Sequence, residues 1–247
     1  MNVAMDPWAR LRAATPARIG LGRSGCAQPL QAQLAFQLAH ARARDAVHAA
    51  VDWDAVAETL PGASVRVRSQ AEGRADYLKR PDLGRRLAEG AALDVGNPPD
   101  VVLVIADGLS AAAVAASGAA VARAVMGALP ELSFGPVVLA EQSRVAIGDE
   151  IGHRLGARLV VLLVGERPGL TVADSLGAYV TYAPRVGRRD SERNCVSNIH
   201  GQGGLSAEAA ARTIAWLVRA ALDRGLTGTG LKDASLARGA EAGQLEP

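Results

Sequence analysis

The chain has 247 residues, of which 49% are hydrophobic and only 3% aromatic, so it is long enough for a substantial core built from Ala, Val and Leu rather than from large rings. Its 27 basic and 25 acidic residues leave a formal charge of +2, which argues against a protein that coats nucleic acid or an anionic membrane. Two cysteines, Cys26 and Cys195, with four histidines exclude a disulfide framework and a convincing structural zinc site, and make a reducing, cytoplasmic compartment the expectation.

From the N-terminus, Asp6 and Pro7 ahead of WARLRAA form a helix start, which breaks at Thr15 and Pro16. Glycine-punctuated GLGRSG at 20–25 follows. Leu34, Leu38 and Ala41 then fall at helical spacing in a long helix from Leu30 to about Ala50. Residues 69–90 read as a helical stretch interrupted at Pro81 and Gly84, and NPPD at 97–100 closes the region as a turn. Arg10, Arg12, Arg18, Arg23, Arg42 and Arg44 lie between Pro7 and Arg44 with no acidic residue, which makes this arm either a solvated or partner-facing surface or an anion contact.

The rhythm changes at Val101. Val101 to Ala106 is a continuous apolar run of the kind buried on both faces of a sheet, and it passes through Asp107 and Gly108 to a helix opened by Ser110. GPVVLAEQS with RVAIGDEIGHRLGA repeats the strand and helix, and LVVLLVG at 159–165 is a third strand. Ala178 to Tyr182 is a further strand candidate, with the sheet edge as one place for it. Ser206 caps a last helix with Ile214, Leu217, Val218, Ala221 and Leu222 in one stripe and Arg224 and Gly225 at its end. The apolar runs at Val101 to Ala106 and Leu159 to Val164 fall short of the roughly 20 residues that span a bilayer, and no secretory signal pattern opens the chain.

These elements predict an α/β protein: a mainly helical arm over residues 1–95, a Rossmann-like parallel-sheet domain over 96–225, and a tail over 226–247 expected to be disordered. Ligands of open parallel sheets bind beyond the carboxyl ends of the strands, which selects Asp107 to Ser110, Glu141 to Val145 and Gly165 to Leu170. Asp107 and Ser110 also suit an ordinary turn and cap. On a helix from about Arg144, Val145, Gly148, Gly152 and Gly156 share a smooth face, open either to a neighbouring helix or strand or to a broad, flat ligand. Glu166 can accept hydrogen bonds from a ligand's amides or hydroxyls, or pair with Arg167 or another arginine.

No GxGxxG follows a strand, and P-loop, HExxH and GxSxG patterns are absent, so nucleotide, zinc-protease and hydrolase readings lack their carriers. Cys195 and His200 form only a weak nucleophile-and-base candidate. His153 with Gly156 matches the end of an Asp-x-His-x-x-Gly cobalamin signature, but Ile151 stands where the aspartate belongs, so no histidine ligand to cobalt follows.

GLGRSG at 20–25, YLKRPDLGRRL at 77–87, VLVIADGLSA at 102–111, GERPGL at 165–170 and NCVSNIHGQGG at 194–204 together resemble the small (light) subunit of ethanolamine ammonia-lyase, in order, over about residues 6–225. The resemblance implies an adenosylcobalamin-dependent radical enzyme converting ethanolamine to acetaldehyde and ammonia. It further implies a hetero-oligomer whose large subunit carries the substrate site, with the cofactor held between the two chains. On the motif positions it makes Val145, Glu166 and Cys195 the cofactor-binding residues, with no catalytic or metal-ligating residue on this chain. Members of the family can carry N-terminal extensions linked to a bacterial microcompartment. With only a few residues ahead of Trp8, cytoplasmic residence is the expectation, and a microcompartment is the alternative. An assembly module making little cofactor contact, and a freestanding thiol enzyme, are the competing readings.

Overall fold

Six strands form one sheet in the order β1-β3-β2-β4-β5-β6: β1 (Ser64–Arg68), β2 (Val101–Ala106), β3 (Val137–Glu141), β4 (Leu159–Gly165), β5 (Leu176–Tyr182) and β6 (Asn194–Ile199). The computed structural model describes residues 6–93 and 96–234. β2 and β4 are buried along their whole length, as their uninterrupted apolar sequences require of central strands covered on both faces.

The expected all-parallel sheet is half the answer. β1, β3, β2 and β4 are parallel, whereas β5 runs antiparallel to β4 and β6 antiparallel to β5. β5 therefore lies inside the sheet rather than at its edge. The strands missing from the sequence reading are the two true edges. In SVRVR only Val67 is buried, and in NCVSNI only Val196 and Ile199 are. Their one-sided apolar content produces a weak local signal. β1 also shows that the arm is not simply helical, because it contributes an edge strand to the sheet. The expected boundary at residue 95 falls outside the described residues.

Helices α1 (Ala9–Ala14), α2 (Leu30–His48), α3 (Trp53–Glu58) and α4 (Arg74–Lys79) precede β2. After it, Ser110 Oγ accepts the N–H of Ala113 and opens α5 (Ala111–Ala113), which continues through a wider turn at Val114–Gly118 into α6 (Ala119–Ala128). By length and composition the segment Ala111–Ala128 could cross a membrane. Here its Val114, Val121 and Val125 are fully packed against the sheet and against α8 (Ala207–Arg224) in the larger core cluster. Ser206 caps α8 through Ala209 N, and Gly225 ends it in the left-handed conformation at φ 68°, as its sequence requires.

The other sheet face is covered by α7 (Ile147–Arg154), with Ile147, Ile151 and Leu155 in the second core cluster. Two buried acids fasten this helix. Glu150 takes Arg86, Arg154 and the N–H of Leu87, while Asp149 takes Arg193, the residue just ahead of β6. Beyond α8 the expected disorder does not begin at Leu226. Thr227 Oγ1 accepts the N–H of Tyr182, Asn194 Oδ1 accepts that of Gly228, and Leu231 is buried. Residues 235–247 lie outside the described residues.

Candidate functional site

The carboxyl ends of β2, β3 and β4 meet at Asp107. Its carboxylate accepts the backbone N–H groups of Gln142 at 3.0 Å and Ser143 at 2.9 Å, with Arg74 Nη1 at 3.4 Å. Burial pushes its pKa up to about 6, opposed by the Ser143 N–H and by Arg74. Gln142 holds φ 50°, uncommon for a residue with a side chain, and the Asp107 bond to its N–H helps hold that turn. Gly108, at φ 56°, lies so close to β4 that a Cβ would stand 2.2 Å from the Gly165 carbonyl. Asp107 and Ser110 thus serve as turn and cap residues and set the loop that leads to Val145.

The YLKRPDLGRRL segment braces the same loop. The guanidinium groups of Arg74 and Arg144 lie over the Tyr77 ring at 4.7 and 4.3 Å, and Tyr77 donates to the Ser143 carbonyl at 3.2 Å. The N–H of Arg144 meets the Gly84 carbonyl at 2.7 Å. Burial of Tyr77 raises its pKa well above the ordinary phenol value. α7 begins at Ile147, so Val145 sits in the turn ahead of the helix, partly buried against the cluster that also holds Tyr179.

Glu166 follows β4 directly. Its Oε2 accepts the Ser175 hydroxyl at 2.6 Å, and no hydrogen bond between described residues reaches Oε1. Gly177 leaves room beside it, because a Cβ there would stand 2.8 Å from Oε1. Across β5 and β6, Tyr179 is paired with Cys195. Cys195 is exposed, yet the protein around its sulfur pushes its pKa up, with the Glu166 charge adding and Tyr179 opposing. The Tyr179 pKa is pushed up to about 12, by burial first and then by Cys195 and Glu166.

Pairing places Gly177, Tyr179 and Cys195 on the α7 side of the sheet, because Val164 faces Gly177 and Leu162 faces Tyr179. α7 packs on β4 and leaves Cys195 and Ser197 of β6 exposed. Glu166, lying over buried Gly177, and the exposed Cys195 beside Tyr179 thus share this face, and Val145 packs against the same core cluster as Tyr179. Sequence reasoning missed those two. The alternation within the fourth apolar run held the signal for Tyr179.

Three sequence alternatives are resolved. The glycine face of α7 serves a neighbouring strand: a Cβ on Gly148 would meet Leu162 and Val160 at 3.1 and 3.2 Å, and one on Gly152 would meet Val160 at 2.3 Å. Gly156 lies beyond the helix at φ 63°. Among the described residues Glu166 makes no ion pair. His200 Nδ1 accepts the N–H of Gln202, while Cys195 has Tyr179 for its neighbour, so no thiol–imidazole pair forms.

The site has one carboxylate and one exposed thiol beside β5 on a largely uncharged sheet face, in an α/β chain without a thiol–imidazole pair among the described residues. The model of the family described as "Ethanolamine ammonia-lyase light chain (EutC)" matches residues 5–232. The chain is 54% identical over 241 residues to the ethanolamine ammonia-lyase small subunit of Rhodopseudomonas palustris (strain BisA53), covering 94% of this chain and 92% of that protein. It is 47% identical over 255 residues to that of Ralstonia nicotianae (strain ATCC BAA-1114 / GMI1000), covering 98% and 94%. To that of Rhodococcus erythropolis it is 44% identical over 246 residues, covering 98% and 95%. The chain belongs to the ethanolamine ammonia-lyase small-subunit family.

Proposed function

We propose that this chain, together with a larger subunit carrying the substrate site, holds adenosylcobalamin in an ethanolamine ammonia-lyase, the enzyme that converts ethanolamine to acetaldehyde and ammonia. The observation that carries the reading is the Glu166 carboxylate lying over Gly177 on the face where the exposed Cys195 lies next to Tyr179. The donor chemistry fits a corrinoid. Glu166 Oε1 is available to the amide or hydroxyl donors at the cofactor's periphery. Val145, Tyr179 and Cys195 supply an apolar and polarizable bed for a broad ring edge. The bound cofactor supplies the radical chemistry of its cobalt–carbon bond, and the protein supplies position and shielding.

The working assembly is a hetero-oligomer, and α2 offers it a surface. Leu30, Leu34 and Leu38 are 67%, 54% and 52% exposed, so this apolar stripe of α2 faces outward. That stripe also favours the second reading, an assembly module with little cofactor contact. Cytoplasmic residence, with a microcompartment as the alternative, remains part of the proposal.

Cofactor retention in the reconstituted complex separates the two readings. The isolated chain shows no deamination, and adding the large subunit and adenosylcobalamin restores turnover. In that complex Glu166→Ala weakens cofactor retention by about 1–3 kcal/mol, as loss of a hydrogen-bonded carboxylate does. Unchanged cofactor dissociation constants in Glu166→Ala and Cys195→Ser leave only the assembly reading. Deamination by this chain alone overturns both.

A further inference from the structure

One step down the sheet from Tyr179 and Cys195 lie Thr181 on β5 and Arg193, the extended residue immediately ahead of β6. Arg193 is extended and two residues ahead of Cys195, and Thr181 is two beyond Tyr179 on β5, so both rows share the α7 face. Arg193 grips Asp149 through two contacts, Nη1 to Oδ1 at 2.5 Å and Nη2 to Oδ2 at 2.7 Å. It also donates to Thr181 Oγ1 at 3.2 Å and to the Arg188 carbonyl at 3.0 Å. The two side chains are 2% and 3% exposed. Asp149 lies in the first turn of α7, four residues beyond Val145, which sits in the turn ahead of that helix.

We propose that Asp149 and Arg193 are a positioning pair that sets α7, and with it Val145, at a fixed height over Cys195 and Tyr179. The inference rests on the cobalamin reading above. Gly148 and Gly152 let α7 approach β4 closely, and Glu150 ties it to Arg86 and Leu87 on the side away from β6. On the β6 side the planar guanidinium fork on a carboxylate has one favoured geometry, and that fixes the helix there. A buried pair adds little net stability over an apolar pair of the same shape, so its value here is register. Neither residue is a cofactor contact, and both act through the neighbours that are.

The test uses the reconstituted two-subunit complex, with hydroxocobalamin as the probe. Its retention is read from visible absorbance after dialysis, and Cys195 alkylation by a maleimide is read peptide by peptide so that Cys26 does not interfere. Arg193→Lys keeps the charge and loses the fork, and Asp149→Asn keeps the shape and loses the charge. Each is expected to weaken retention by about tenfold or more and to change the Cys195 alkylation rate several-fold, well below the melting temperature, because displacement of contact groups by a fraction of an ångström is costly at a preorganised site. A lower melting temperature with unchanged retention and alkylation shows a merely structural pair and overturns the proposal. Where both variants fail to assemble, Thr181→Val removes only the hydroxyl that steadies Arg193. It is expected to weaken retention by about two- to fivefold, and unchanged retention there overturns the proposal as well. Glu166→Ala and Cys195→Ser, run alongside, separate the failures. If both leave hydroxocobalamin binding unchanged, the cobalamin reading falls and this inference with it. If they weaken binding while Arg193→Lys does not, only the positioning role falls.

Discussion

Asp107 Oδ1 accepts the backbone N–H of Ser143 at 2.9 Å, and this bond fixes where the loop to Val145 leaves the end of β3. Because burial holds the Asp107 pKa at about 6, above its unfolded value near 4, the folded state binds this proton more tightly than the unfolded chain does. The contribution is therefore fully present below about pH 4 and is lost as pH rises through 6, the reverse of the usual aspartate. Urea unfolding of the wild type and of Asp107→Asn across pH 4 to 7 checks this. The stability advantage of the wild type should shrink with rising pH, by at most about 1.4 kcal/mol per pH unit, and a flat difference would contradict the buried, raised carboxyl.

Gly177→Ala should act on Glu166 without unfolding anything. The added Cβ lies 2.8 Å from Oε1, so the flexible carboxylate swings away. Cofactor retention in the assembled enzyme should fall by about 1–2 kcal/mol while the melting temperature stays close to wild type, since alanine suits a strand no worse than glycine. Retention equal to wild type would place the ligand elsewhere.

The glycines of α7 differ in how closely they meet the sheet, and alanine should rank them. At Gly152 the new Cβ lies 2.3 Å from Val160 Cγ2 and 2.5 Å from Pro184 Cγ, neither of which can swing clear. Gly152→Ala should cost about 1–3 kcal/mol in urea unfolding. Gly148→Ala meets ordinary side-chain tips at 3.1 and 3.2 Å, and the gain of about 1 kcal/mol in helix propensity offsets part of the crowding. Equal losses at the two positions would refute the packing described for α7.

Leu34→Ser combined with Leu38→Ser tests the outward stripe of α2. Both side chains are more than half exposed, so the stability of this chain by itself should change by less than about 0.5 kcal/mol. Association with the large subunit, followed by sedimentation, should weaken at least about tenfold if the stripe is covered in the complex. Undiminished association would return α2 to the role of a solvated arm.

Local sequence alone determined the parts of this protein whose burial is local. The unbroken apolar runs of β2 and β4, the caps at Ser110 and Ser206, the stripe and left-handed Gly225 of α8, and the start of α2 at Leu30 each follow from residues within a few positions of one another. The motifs at 77–87, 165–170 and 194–204 marked the family and pointed to Glu166 and Cys195, but not to why those residues matter together. Tertiary structure decided the rest. β1 and β6 carry polar residues on one face because they are edges, so only their pairing reveals them as strands. The direction of β5 depends on which neighbour it bonds, not on its own composition. The stripe on α2 and the glycines on α7 have the same kind of periodicity, yet one faces outward and the other lies on β4, because helical spacing records which residues share a face and not what that face meets. For the same reason the opposition of Tyr179 to Cys195 and the grip of Arg193 on Asp149, 44 positions apart, exist only once the sheet has brought α7, β5 and β6 together.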